Sequence, residues 1–254
     1  MPRHELHQWL SCPSGKMLLS REKALLDGVL PHLFGHYILQ VGRLGDADLL
    51  VRSRIPHRIL VEVDGNRSVP GRSCLRARPD ALPIVSDSID VVVLPHLLEF
   101  SSHIQETIQE AERVLIAEGH LLILAFNAWS LLGIHHLLCR QGNPDPDRQS
   151  ESDERPCTPC RGGRFPGLNR IRNRIATLGF EVISVKRYFF QPPIGNRDLM
   201  NRLRFLDVIG PRFLPFFSGA YLIVAKKRVT TLTPIRLHRR QPRQSLIPVG
   251  LSET

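Results

Sequence analysis

Apolar runs of strand length alternate with segments whose apolar residues recur at helical spacing along most of the chain. Uninterrupted runs such as 89–94, Ile-Asp-Val-Val-Val-Leu, are typical of strands that are covered on both faces. This alternation predicts an α/β fold in which a mostly parallel sheet lies between helical layers. The predicted strands span 36–41, 58–63, 89–94, 121–125, 180–185 and 220–225, and the predicted helices span 14–34, 101–115 and 168–178.

Two segments break this pattern. Residues 140–166 are polar and rich in Pro and Gly, which predicts a long loop insertion. Residues 230–254 contain three prolines and no apolar periodicity, which predicts a disordered basic tail. The chain is therefore expected to divide into a helical extension at 1–35, a main domain at 36–229 and the tail.

The charge of the chain is concentrated at its end. The whole sequence has a net charge of +10, but residues 226–254 alone hold seven basic residues and one acidic residue. A basic tail says little about what the folded domain does, and aromatic residues for base stacking make up only 6% of the chain. Nucleic acid therefore stays an alternative partner through the tail, beside a small-molecule ligand of the domain.

Location and metal content follow from what the sequence lacks. It has neither an apolar run of the roughly 18 residues that a membrane span needs nor an apolar segment typical of a secretory signal. Its five cysteines are an odd number, which favours reduced thiols and a cytoplasmic protein. Cys157 and Cys160 form one CxxC pair, whereas a zinc site needs four ligands, so we expect no metal.

Ligands of parallel α/β sheets bind beyond the carboxyl ends of the strands, which makes the turns there the candidate site. These turns are Gln-Val-Gly-Arg-Leu-Gly-Asp at 40–46, Val-Asp-Gly-Asn at 63–66 and Pro-Asp-Ala-Leu-Pro-Ile at 79–84. Two longer motifs follow, DSIDVVVLPHLLEF at 87–100 and EAERVLIAEGH at 110–120. In this order and spacing the segments resemble class I S-adenosylmethionine-dependent methyltransferases, in particular the type-eleven group, over roughly 36–127.

The resemblance implies a Rossmann-like, seven-stranded sheet, a bacterial and cytoplasmic transferase, and S-adenosylmethionine as cofactor. It places the cofactor against Gly42 and Gly45, where glycine lets a ligand approach the backbone closely. Gln40 stands where the family has an acidic residue that contacts the cofactor. An acid at the end of the second strand holds the ribose, and the candidates are Asp64 and its rival Glu62. The turn lacks the GxGxxG spacing of nicotinamide enzymes.

The resemblance also assigns the adenine and the transferred methyl group. Asp80, Ala81 and Leu82 face the adenine, and Arg78, which aligns with the aspartate of the family, is an alternative that stacks on it. His96 follows the fourth strand in the position nearest the methyl group, and it is the best candidate for a general base. Asn127 follows the fifth strand and could face the acceptor.

The predicted function is methyl transfer from S-adenosylmethionine to a small-molecule acceptor. The methyl carbon is already electrophilic, which agrees with the lack of a nucleophile–base–acid constellation in the sequence. The alternative is an inactive relative that keeps the fold and binds a partner. Gln40, Leu44 and Arg78, which depart from the family pattern, motivate this alternative.

Overall fold

A seven-stranded sheet forms the centre of the molecule in a computed structural model that describes residues 4–63, 73–130, 133, 163–190 and 217–229. The strand order is β3-β2-β1-β4-β5-β7-β6, and only β7 runs antiparallel to its neighbours. The predicted Rossmann-like fold is confirmed. The strands are β1 (Tyr37–Val41), β2 (His57–Glu62), β3 (Ser73–Arg76), β4 (Ile89–Pro95), β5 (Leu115–Phe126), β6 (Phe180–Tyr188) and β7 (Ala220–Lys227).

The direction of winding reverses between β1 and β4. From β1 the chain goes outward through β2 to β3 and then returns to β4 on the other side of β1. Such a switch point opens a crevice at the carboxyl ends of the two strands, and this crevice is where sheets of this kind bind ligands. The segments after Val41 and Pro95 therefore lie at the candidate site.

Helices cover both faces of the sheet. One face packs against α1 (His4–Leu10) and α2 (Pro13–Asp27), and the other packs against α3 (Ile104–Val114) and α4 (Leu168–Thr177). Alternate residues of the strands point to opposite faces, as the strand period of two requires, so that Val91 joins the first layer and Val92 the second. The N-terminal residues predicted as an extension thus share a core with β1 and β4.

Several predicted elements differ in extent. The helix predicted at 14–34 ends at Asp27, because Gly28 ends it and a short 3-10 turn at Leu30–His32 follows. The helix and strand predicted at 101–115 and 121–125 meet without a loop, since β5 begins at Leu115 directly after α3. Residues 140–162 of the predicted loop and the predicted tail lie outside the described residues.

Gly15 allows α1 and α2 to pack closely at their corner. A Cβ atom at this position would lie 2.5 Å from the Cα of Leu10 and would collide with the carbonyl oxygen of Trp9. We expect Gly15→Ala to lower the free energy of unfolding by about 1–3 kcal/mol, as overpacking does, in a denaturant titration. Gly28→Ala is the control, because the nearest atoms there are 3.6 Å away. Equal effects of the two changes would contradict the close packing.

Candidate functional site

His96 lies fully buried immediately after β4, between two carboxylates. Its Nε2 atom is 2.6 Å from Oε1 of Glu22, which α2 contributes, and its Nδ1 atom is 2.9 Å from Oε1 of Glu99. Both glutamates are buried as well. An ionised carboxylate only accepts hydrogen bonds, and a histidine donates from both nitrogens only as an imidazolium. With both carboxylates ionised, this geometry requires a protonated His96.

The pKa of His96 agrees with this assignment. Burial on its own would lower the pKa, but the charges and hydrogen bonds of Glu22 and Glu99 outweigh it and raise the pKa of His96 to about 10. A histidine that is protonated at neutral pH, with both ring nitrogens in use, has no lone pair with which to take a proton. These contacts argue against the general-base role that the sequence suggested for His96.

Each of the two glutamates uses only one of its oxygens. Oε1 of Glu22 also accepts a hydrogen bond from the hydroxyl of Tyr188 at 2.9 Å, and Oε1 of Glu99 accepts one from the backbone N–H of Phe126 at 2.7 Å. The Oε2 atoms of both glutamates are buried and have no hydrogen-bond partner in the part of the chain that the structure describes. Glu22, His96 and Glu99 are called the acid–imidazolium cluster below.

Aromatic rings close this cluster off from solvent. The ring centroid of Phe126 lies 4.1 Å from that of His96, and Phe165 and Trp9 pack against Phe126 at 5.0 and 6.0 Å. His96 itself adopts a left-handed backbone conformation with φ of 45°, which histidine tolerates better than most residues do. Apolar walls make each charge in the cluster interact more strongly than it would in water.

The glycine turn follows β1 on the same edge of the sheet. Gly42 and Gly45 have φ values of 87° and 58°, in the left-handed region that favours glycine. The side-chain amide of Gln40 donates to the carbonyl oxygen of Gly42 at 3.0 Å, and the N–H of Gly45 donates to Nδ1 of His7 at 3.1 Å. Leu19 of α2 also lies over Gly45. The two N-terminal helices therefore cover this turn.

A buried carboxylate oxygen marks the end of β2. The strand ends at Glu62, and Oε2 of Glu62 has no hydrogen-bond partner among the described residues although it is shielded from solvent. A ribose hydroxyl at this place would supply the missing donor. Asp64, the other candidate for the ribose, lies outside the described residues.

The third turn is held by its own ion pairs. Arg78 binds both carboxylate oxygens of Asp80, at 3.0 and 2.6 Å, and this contact lowers the pKa of Asp80. The N–H of Leu82 donates to Oε1 of Glu110 at 2.8 Å, and Arg113 donates to the carbonyl oxygen of Leu82 at 3.1 Å. Asp80 and the Leu82 amide, both predicted to face the adenine, are thus already paired within the protein.

The structure brings Gln40, Gly42, Gly45 and His96 to adjacent strand ends, whereas Asp80, Ala81 and Leu82 follow the edge strand β3. Asn127 is buried after β5, and its Oδ1 accepts the N–H of Trp129 at 3.3 Å.

Sequence reasoning missed Glu22, Glu99 and Tyr188. One signal for Glu22 was available, because it lies four residues from both Leu18 and Leu26 on the apolar face of α2. A carboxylate on such a face needs a buried partner.

The strand ends offer acceptor groups to a ligand that brings hydrogen-bond donors. Gly42 and Gly45 give the turn after β1 a left-handed backbone, and unpaired buried oxygens lie at the end of β2 and beside β4. No group of three His, Cys, Asp or Glu residues in the described ranges could hold a metal ion, and Cys157 and Cys160 lie outside them. In the same ranges, no helix is both long and apolar enough to cross a membrane.

Comparison with known proteins finds a family model that matches part of this chain. Residues 58–123, which run from β2 into β5, match the methyltransferase domain family. The chain is also 27% identical over 239 residues to the uncharacterized protein YafS of Escherichia coli K12, a match that covers 92% of this chain and 87% of the relative.

The solved structures that share the fold include these two. One is a S-adenosylmethionine-dependent methyltransferase of Thermotoga maritima, named a "possible histamine N-methyltransferase", with a TM-score of 0.59, 16% identity and coverage of 89% of this chain and 99% of that one. The other belongs to a Haloferax volcanii complex of the Trm112 methyltransferase activator with a protein named "the putative methyltransferase"; its TM-score is 0.57, its identity 14%, and the match covers 88% of this chain and 98% of that one.

The family match and these folds confirm the resemblance to class I methyltransferases of the type-eleven group. The Thermotoga maritima neighbour is itself named as dependent on S-adenosylmethionine, the cofactor that the sequence resemblance implies.

Proposed function

We propose that this chain is a S-adenosylmethionine-dependent methyltransferase that acts on a small-molecule acceptor. The observation that carries the proposal is the position of the family match, because residues 58–123 contain β2, β3 and β4 and most of β5, whose ends build the candidate site. The sheet order and the switch point beside the glycine turn support the same function.

The bound cofactor would supply an electrophilic methyl carbon. The chain then has to hold the donor, align the acceptor with the methyl group and keep water out. Gly42 and Gly45 give the turn after β1 its left-handed backbone, and Glu62 offers a buried carboxylate oxygen to a hydroxyl. The aromatic packing of Phe126 around the end of β4 serves the exclusion of water.

The acceptor would enter where β5 ends. Trp129 is 74% exposed there, although tryptophan is usually well buried, and it follows the buried Asn127 by two residues. An exposed indole ring is suited to bind a flat or cationic group. Because the Thermotoga maritima neighbour is named for an amine acceptor, small aromatic amines such as histamine are the first acceptors to test.

Binding of the cofactor tests the function directly. We expect S-adenosylmethionine to bind the wild-type chain in a calorimetric titration, and Glu62→Gln to weaken this binding at least tenfold, because a hydrogen bond to a charged group contributes about 1.5–3 kcal/mol. Glu106→Gln is the control, since Glu106 is half-exposed on α3 and pairs with His103 at the surface.

Two results would change the assignment. If Asp64→Asn weakens cofactor binding and Glu62→Gln leaves it unchanged, the contact with the ribose belongs to Asp64 rather than Glu62. No heat of binding from the wild-type chain at millimolar cofactor would overturn the proposed function and support the inactive relative, in which His7 and Arg78 keep groups of the former site paired.

A further inference from the structure

Two aromatic rings lie exposed at the amino ends of the parallel strands, opposite the candidate site. Phe34, which precedes β1, is 69% exposed, and Tyr37, the first residue of β1, is 42% exposed. Phenylalanine is among the residues that are most often fully buried in folded proteins. Although aromatic residues make up only 6% of the chain, this end of the sheet thus presents aromatic surface that the core does not use.

Cationic and ring-bearing side chains adjoin the two rings. The guanidinium carbon of Arg54 lies 6.0 Å from the ring centroid of Phe34, and the imidazole of His57 stacks on Tyr37 with 4.9 Å between the centroids. Arg52 is exposed as well, and neither arginine pairs with an acidic side chain in the part of the chain that the structure describes. Phe34, Tyr37, Arg52, Arg54 and His57 are called the aromatic–basic patch below.

The backbone that carries these rings is held firmly in place. Oδ2 of Asp90, on β4, accepts hydrogen bonds from the backbone N–H groups of His36 and Tyr37 at 2.8 and 2.9 Å. Gly35 lies directly against the same carboxylate side chain, with which a Cβ atom at this position would collide. The N–H of His57 donates to the carbonyl oxygen of His36 at 3.2 Å. A partner would therefore meet a preorganised surface, which lowers the entropic cost of binding.

The chain enters its basic tail at the same end of the sheet. Because β7 runs antiparallel, its last residue, Lys227, lies at the amino ends of the parallel strands, and Nζ of Lys227 is 3.0 Å from Oδ1 of Asp87, just before β4. Strands lie about 4.8 Å apart in a sheet, which places β7 about 14 Å from β1. Residues 230–254 contain four arginines and one glutamate. The positive charge of the tail is thus attached to the end of the sheet that carries the patch.

We propose that the aromatic–basic patch binds single-stranded nucleic acid. Aromatic side chains stack on unpaired bases of any sequence, and arginines contact the phosphates of the backbone. Two exposed rings with adjacent arginines, on a rigid segment near the start of a basic tail, combine these two kinds of contact. The inference goes beyond the proposed function and does not depend on it, because the candidate site lies at the carboxyl ends of the strands.

A second copy of the chain and a nucleic-acid duplex fit the patch less well. Two copies related by a two-fold axis would bring the charges of Arg52 and Arg54 against their own kind, which is unfavourable. A duplex keeps its bases stacked in its interior, whereas aromatic side chains cover bases that are splayed out of a single strand. The exposed rings of Phe34 and Tyr37 therefore favour the single strand.

The test is fluorescence anisotropy of a labelled oligothymidylate of about 12 nucleotides, titrated with the full chain at about 50 and about 200 mM salt. We expect saturable binding by the wild-type chain. Phe34→Ala and Tyr37→Ala should each weaken it at least about fivefold, the lower end of what stacking of one base contributes. Arg52→Gln and Arg54→Gln should each reduce the slope of log Kd against log salt concentration by about 0.7, the change for one lost phosphate contact.

Matched controls come from other parts of the surface. Phe217, which is 43% exposed, lies before β7 at the carboxyl ends of the parallel strands, and Arg172 is exposed on α4. Phe217→Ala and Arg172→Gln should leave the affinity and the salt slope near their wild-type values. Thermal melting checks that each variant is folded, which is expected because all of these side chains are exposed.

Three outcomes would overturn the inference. The first is no binding of the oligonucleotide by the wild-type chain at about 100 µM protein and low salt. The second is wild-type affinity in both Phe34→Ala and Tyr37→Ala, or an equal loss in Phe217→Ala, either of which would assign binding to net charge alone. The third is tighter binding of a duplex of equal length, or binding of phosphatidylglycerol vesicles that depends on Phe34 and Tyr37 and that the oligonucleotide does not compete with.

Discussion

Replacing His96 with leucine is expected to lower the free energy of unfolding by about 3–5 kcal/mol, the usual loss when one partner of a buried ion pair is removed. The change leaves Glu22 and Glu99 facing each other in an apolar pocket without their shared cation. Part of the loss also comes from the backbone, because a branched side chain is strained at a φ of 45°. Urea titration at pH 7 would measure the loss.

A second set of variants separates charge from packing. If unpaired carboxylates cause the loss, adding Glu22→Gln and Glu99→Gln to His96→Leu should restore part of the stability, because no buried charge then remains in the cluster. Asparagine adopts the left-handed backbone conformation more easily than leucine does. His96→Asn should therefore still show most of the loss in free energy of unfolding. A loss below about 1 kcal/mol for His96→Leu would contradict the ion pairing.

The sequence predicted the central strands well because their burial is continuous. Residues 89–94 place apolar side chains on both faces of the strand, and most of β4 is accordingly buried in the sheet. The strand β3 was missed because Ser-Cys-Leu-Arg at the sheet edge has neither an apolar run nor strict alternation. Within the predicted helical extension, α1 was not recognised as a separate helix, because Leu6, Trp9 and Leu10 have helical spacing over only two turns.

The candidate site was predictable only in outline. Sequence spacing placed His96 after a buried strand, and the structure confirms that position. Its chemistry depends on Glu22, 74 residues away, and on the contact of Glu22 with Tyr188, 166 residues away. Contacts at such separations leave no local pattern, so the same histidine was expected to be a base when seen without them.

Stability should fall as the pH rises from neutral toward about 10, and the part of this fall that His96 causes should be absent in His96→Gln. An ordinary histidine side chain has a pKa of 6.5, and the folded protein raises the pKa of His96 to about 10. A raised pKa means that the folded chain holds the proton more tightly, so the stabilisation is complete below pH 6.5 and is lost as the pH rises through about 10. Between pH 6.5 and about 10, the loss of one bound proton lowers the free energy of unfolding by about 1.4 kcal/mol per pH unit.

The groups that face His96 set the conditions of the experiment. Glu22 comes from α2, Glu99 from the segment after β4 and Tyr188 from β6. Burial and the charge of Glu22 raise the pKa of Tyr188. Denaturant midpoints at pH 6.5, 8 and 9.5 would be measured for wild type and His96→Gln, because groups elsewhere titrate alike in both chains and cancel in the difference. A stability difference that shrinks with rising pH supports the buried imidazolium, since His96 then loses the charge that the glutamine never had. A constant difference would mean that His96 is neutral in the folded chain and that one of the two carboxylates holds the proton.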